Sequence, residues 1–322
     1  MREIAYMALN TALEYGATFC EVRVIKSRRQ GIDVKNGLVE SLIDRVEEGI
    51  GIRVIANGSW GFAGTSFFDK ENVIQTAKKA VDIARASSLT RKRSVELAPS
   101  KKIIATWSNQ IRINPFEVPL DKKVSLLIEA TKIMTRVKDV KIAEGSMDFW
   151  DTEKLFINSE GTEILQHIIE SGGGISAYGI REGDVQRRSY PNSFGGQYET
   201  RGYELIEEIN LLENAQRIAE EASALLDAPE CPSTVTTLIL DGSQVALQVH
   251  ESIGHPTELD RILGMETSYA GTSFISINDR GRLRYGSKLM NITADATLPG
   301  GLGSFGYDDE GVPAQRVDIV KE

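Results

Sequence analysis

Apolar residues open the chain at helical spacing. Ala5, Leu9, Ala12 and Leu13 stand among polar positions, which predicts an amphipathic helix over residues 4–15. From Cys20 the period falls to two. Val22 and Val24, then Ile32 and Val34, alternate with polar residues and lead into Asn36-Gly37, a pair that accepts the positive φ of a tight hairpin turn. A return strand is expected through Leu38, Leu42 and Val46, and a third strand over residues 51–55, ending at Asn57-Gly58. The glycine-rich stretch around Trp60 and Phe62 reads as a tight strand end packed on a core. Asp69 is the expected N-cap of a helix over residues 69–87, with Val73, Ile74, Ala77, Ala80, Val81 and Ala84 as its apolar stripe. Arg91, Lys92, Arg93, Lys101 and Lys102 mark a solvated connection rather than an anion or RNA contact. The next helix begins near Asp121 and turns Val124, Leu127, Ile128 and Met134 inward.

The order strand, turn, strand, glycine, strand then recurs over residues 153–180. The turn lies at Ser159-Glu160-Gly161, and Gly172-Gly173-Gly174 separates the last two strands. This suggests an internal duplication by pattern rather than identity. A long helix is predicted over residues 203–226. The proline-interrupted segment 228–233 is the best boundary, giving an N-terminal α/β domain (1–227) and a second domain (228–322) expected to be incomplete at its C-terminus. In the second domain the β-branched run 234–240 reads as a buried strand, and Asp241-Gly242-Ser243 as a turn ending in an N-cap. A helix over residues 244–255 follows, stopped by Pro256, and residues 274–320 have β character with many turns. The fold class expected is α/β (α+β): an antiparallel sheet with helices, followed by a β-rich domain that carries one chemically loaded helix.

Composition adds mainly exclusions. At 322 residues, 41% hydrophobic and 26% charged, the chain is too ordinary to be disordered or a disulfide scaffold. A formal charge of -9, from 37 Lys+Arg against 46 Asp+Glu, argues against a nucleic-acid partner. No apolar run approaches the ~20 residues that span a bilayer, so no membrane partner is expected. The first residues lack the uninterrupted apolar stretch of a signal peptide, and Cys20 and Cys231 form no CxxC pair. A cytoplasmic location is the default expectation.

Two of the three histidines fall in His250-Glu251-Ser252-Ile253-Gly254-His255. Metal-assisted peptide hydrolysis needs neutral imidazoles on a metal ion and a carboxylate beside them to take a proton from water. In the His-Glu-x-x-His arrangement the two rings lie one helical turn apart; here the gap is one residue longer. On a regular helix, ~100° per residue leaves two side chains five positions apart separated by about 140°. The pair can share an ion only if the helix carries a π-bulge or unwinds near Gly254. The bland reading is a polar helix end whose histidines favour the negative pole of the dipole. His167, alone on a strand, reads as an ordinary surface or core residue. Gly301-Leu302-Gly303-Ser304-Phe305-Gly306 fits G-x-G-x-x-G by letter, but acids follow it and no buried strand precedes it, so a dinucleotide site is not expected.

The motif resembles that of the TldD/PmbA family of zinc metallopeptidases, on the TldD side. The likeness extends to Gly16-Ala17, Cys20–Val24, Asn36-Gly37, residues 49–54, the segment around Trp60 and Phe62, and residues 303–311. The resemblance implies a zinc-dependent peptidase acting on short or unfolded peptides, with the site enclosed in a homodimer or in a heterodimer with a TldE/PmbA-like subunit. It implies that His250 and His255 bind zinc and that Glu251 is the general base. The family takes a third zinc ligand from a cysteine far downstream, a position that neither Cys20 nor Cys231 matches. A truncated chain is therefore expected, with Glu258 or Asp260 as a stand-in ligand or a support for a histidine. The alternative is a non-catalytic scaffold, a partner subunit or an inactive fragment lacking that ligand.

Overall fold

The structure, a computed structural model, describes residues 1–321. Helix α1 (Arg2–Glu14) precedes a long hairpin, β1 (Phe19–Lys35) and β2 (Leu38–Ala56), paired from Phe19↔Ile55 to Lys35↔Leu38. Its turn is Asn36-Gly37, at φ 50° and 78°, as the dipeptide predicts. Strand β3 (Ser59–Thr65) adds to β2, and α2 (Lys70–Ser88) follows with Asp69 accepting the Asn72 amide as its cap. After an exposed connection come β4 (Ile104–Ser108) and α3 (Leu120–Met134). A second long hairpin follows, β5 (Val140–Asn158) and β6 (Glu163–Arg181), then β7 (Asp184–Tyr190), β8 (Gln197–Glu199), α4 (Glu204–Ile209) and α5 (Leu211–Ala224). The sheet order is β3-β2-β1-β5-β6-β4. Strands β7 and β8 also pair with β6, and only β4 runs parallel to its neighbour.

Alternation along the central strands sorts the two faces. Val22, Val24, Leu155 and Ile157 pack under α1 and α2; Ile32, Val34, Met147 and Phe149 pack under α3 and α5. These positions share one parity within each strand, so all four helices cover one face, over opposite ends of the long hairpins. The predicted α+β class is what the chain adopts.

Several elements differ from the sequence pattern. The return strand and the strand over 51–55 are one strand, β2. Its outer half stands clear of the helices, with Leu38, Leu42 and Val46 more than half exposed, so it has no buried face to alternate against. Gly172-Gly173-Gly174 does not separate strands either, because β6 runs straight through it. A Cβ at Gly172 would lie 1.9 Å from the Tyr198 ring and one at Gly174 2.0 Å from the Gly195 carbonyl oxygen, so the glycines make room for chain crossing that face. The helix expected over 203–226 breaks at Asn210, which is left-handed at φ 47° and ψ 63°.

The strand expected over 234–240 is absent. The segment has no regular structure, Val235 and Ile239 are fully open, and no strand among the described residues offers it a ladder; a β-branched run needs a partner to become a strand. Helix α6 (Gly242–Val249) then forms with Asp241 as its N-cap, its carboxylate accepting the Ser243 amide. Short α7 (Leu259–Ile262) follows. The strand content of residues 274–320 is confined to β9 (Ile292–Asp295) and β10 (Arg316–Val320), an antiparallel pair with turns around it.

Residues 306–311 fasten this region to the uncovered face of the large sheet. Buried Gln166 accepts the Gly306 and Tyr307 amides at 3.1 and 2.9 Å and donates to the Tyr307 carbonyl at 2.8 Å. Arg53 pairs with Glu310 at 2.7 Å; Arg23 and Lys154 hold Asp309 at 3.0 and 2.5 Å.

Candidate metal centre

Backbone geometry at the end of α6 decides whether the two histidines can meet. From His250 to Gly254 the chain forms a π-helical turn, and the His255 amide donates to the His250 carbonyl, an i→i+5 bond. The wider turn brings positions five apart onto one side, where a regular helix would set them well round its circumference. The imidazole centroids of His250 and His255 lie 4.3 Å apart with ring planes at 73°. Donor atoms of His250, Glu251 and His255 all fall within 4.8 Å of one another, the single such metal-capable group found among the described residues. The side chains of His250 and Glu251 are exposed, and that of His255 is partly covered.

Local sequence explains why the turn holds. Pro256 has no amide hydrogen to give the Ser252 carbonyl four residues back. The Tyr285 hydroxyl donates to that carbonyl instead. Thr257 Oγ1 donates to the Ile253 and Gly254 carbonyls at 2.8 and 3.1 Å, and Ile253 is buried beneath the turn. Of these, Pro256 and Gly254 are visible in the sequence as helix breakers. Tyr285 and Thr257 carry no signal before the fold is known.

Glu258 and Asp260 are placed differently. Glu258 Oε1 lies 2.9 Å from His255 Nδ1, and its other oxygen pairs with Arg261 Nε at 3.1 Å. Asp260 turns its carboxylate to the Arg261 amide at 2.8 Å. Sequence alone does not single out Arg261. Its only signal is a basic residue three positions after an acid. Neither cysteine joins the group. Cys20 is buried in β1, and burial pushes its thiol up to about 12, so the thiolate a metal needs is suppressed; Cys231 lies in the exposed connection before α6. His167 pairs with Asp151 at 2.6 Å on the sheet, and Ser304 of the glycine-rich loop donates to the Leu298 carbonyl.

Three family models match the chain: PmbA/TldA metallopeptidase domain 1 over residues 20–84, the central domain over 113–226 and the C-terminal domain over 233–322. The chain is 28% identical over 311 residues to a metalloprotease of Methanocaldococcus jannaschii, covering 96% of this chain and 65% of the relative. It is 22% identical to a TldD homologue of Haemophilus influenzae, also named a metalloprotease, over 90% of this chain and 58% of that one. Across the curated relatives it matches, the chain spans 58–65% of their length. Among solved structures, TldE from Thermococcus kodakarensis aligns with a TM-score of 0.59 at 15% identity, over 99% of this chain and 67% of that one. A Bacteroides thetaiotaomicron protein, described as a proposed modulator of DNA gyrase, aligns at 0.78 and 14%, over 99% and 69%. With its three domain matches and relatives named as metalloproteases, the chain belongs to the PmbA/TldD metallopeptidase family.

Proposed function

We propose that this protein is a zinc-dependent peptidase acting on short or unfolded peptides, with His250 and His255 as metal ligands and Glu251 as the general base. The observation that carries the proposal is the π-turn, which draws both rings and the adjoining carboxylate into one cluster. The donor set suits zinc: two imidazoles can each offer a ring nitrogen, and the carboxylate beside them is exposed enough to reach a water molecule. A zinc ion held there supplies Lewis acidity, polarising the scissile carbonyl and making water easier to deprotonate. Glu251 accepts the proton of the attacking water and returns it to the departing amine, so that one carboxyl serves as base and then acid. Glu258 keeps the His255 ring from rotating away. The reading includes a dimer, with a second copy or a TldE-like subunit; the likeness to TldE supports the second form.

Metal content and one substitution test this reading together. Dialysis against zinc should leave about one ion per chain, and Glu251→Gln should retain it. The same substitution should lower cleavage of an unfolded polypeptide by about 10²–10⁴-fold. A wild-type chain that takes up no zinc points to the scaffold or inactive-fragment reading, and a Glu251→Gln variant that cleaves as fast as wild type removes Glu251 from the role of base.

A further inference from the structure

We infer that Glu258, clamped by Arg261, is a positioning residue that selects the tautomer of His255 and so prepares Nε2 to bind metal. The inference rests on the metal site proposed above and adds a residue pair to it. A carboxylate only accepts hydrogen bonds, so the ring nitrogen facing Glu258 Oε1 at 2.9 Å must be the one that carries hydrogen. Placing hydrogen on Nδ1 leaves the Nε2 lone pair of His255 free. The carboxylate is itself fixed, because its second oxygen pairs with Arg261, whose side chain is four-fifths covered. The i,i+3 spacings His255–Glu258 and Glu258–Arg261 fit the turn of chain that follows Pro256. Hydrogen-bonded carboxylates behind metal-binding imidazoles fix ring orientation and raise ligand basicity. Asp260, the other acid near the motif, caps the Arg261 amide and makes no such contact.

Two measurements on the whole chain test the inference: the His255 tautomer, read from imidazole nitrogen chemical shifts in alkaline buffer without metal, and zinc affinity, read by competition with a chromophoric chelator. Wild type should show Nδ1–H at His255. Glu258→Ala should lose that preference and bind zinc about 10–100-fold more weakly. Glu258→Gln, which keeps an acceptor oxygen at Nδ1, should stay closer to wild type on both readouts. Arg261→Met should fall between the two. Glu258 is exposed enough that its replacements leave no cavity. If Glu258→Ala keeps the wild-type tautomer and zinc affinity, the positioning role is overturned while the metal site stands. If wild type binds no zinc yet its tautomer shifts in Glu258→Ala, the positioning contact is real and the metal reading fails.

Discussion

Lys123 shows how far a single residue can depart from its sequence pattern. Helical spacing assigns the inner side of α3 to Val124, Leu127, Ile128 and Met134. The fold does bury Leu127 and Met134, but it also buries Lys123 completely. The ammonium donates to Gln30 Oε1 and to the Pro115 carbonyl, both at 2.6 Å, and sits 4.3 Å over the Phe149 ring. No period could announce this, because Gln30 comes from a strand distant in sequence and the Pro115 carbonyl from the segment just before the helix. Burial, with Arg28 nearby, lowers the Lys123 amine from 10.5 to about 8, while Asp44 opposes the shift. Below about pH 8 both folded and unfolded states hold the proton, and the cost of burying the charge is fully present. Between about pH 8 and 10.5 the unfolded state binds more protons, so this group makes stability rise with pH. Tyr203 and Cys20, both pushed up to about 12, act in the opposite direction, so the comparison must be differential. The stability of wild type relative to Lys123→Met should increase over that window by on the order of 2–3 kcal/mol in urea titrations. A flat difference would mean that Lys123 titrates like a solvated lysine.

At the scale of elements, the legible features are those whose chemistry is local. Asn36-Gly37 fixes the first hairpin, Asp69 caps α2, and a histidine spacing one residue too long for a regular helix calls for a distorted one. Features that depend on what an element packs against were not legible. The outer half of β2 lost its alternation by lacking a covering helix, Gly172 and Gly174 look like breaks because their reason is a neighbour's approach, and the run 234–240 stayed open for want of a partner strand. The π-turn lies between these cases. Its presence can be argued from spacing, but the groups that satisfy its free carbonyls cannot. Removing two of them with Thr257→Val and Tyr285→Phe should cost about 0.5–1.5 kcal/mol for each hydrogen bond lost. The expected result is faster hydrogen exchange at the His255 amide and zinc binding weakened about tenfold or more. Unchanged exchange would show that the turn persists without them.

Across the whole molecule, one large sheet organises the two long hairpins, and the segment 306–311 ties the C-terminal region to its open face. The acids after the glycine-rich loop, which by sequence argue against a phosphate site, answer Arg23, Arg53 and Lys154 on the sheet. Gln166 is the buried centre of this attachment, with three backbone hydrogen bonds. Gln166→Ala should therefore loosen the attachment by about 2–4 kcal/mol, seen as protease cleavage within residues 303–311 while the sheet stays protected. Equal resistance in the variant would place the anchoring in the ion pairs. The widened turn at His250 has a consequence for the chain after it. Relative to a regular helix it amounts to one inserted residue, a single codon, taken up inside the wide turn so that the fifth residue stands where the fourth otherwise would. Deleting Ser252 would close that turn to an ordinary one and leave the rings a single regular turn apart. Glu258 and Arg261 would still follow His255 at the same offsets, so the acid–base pair travels with its ring whichever spacing precedes it.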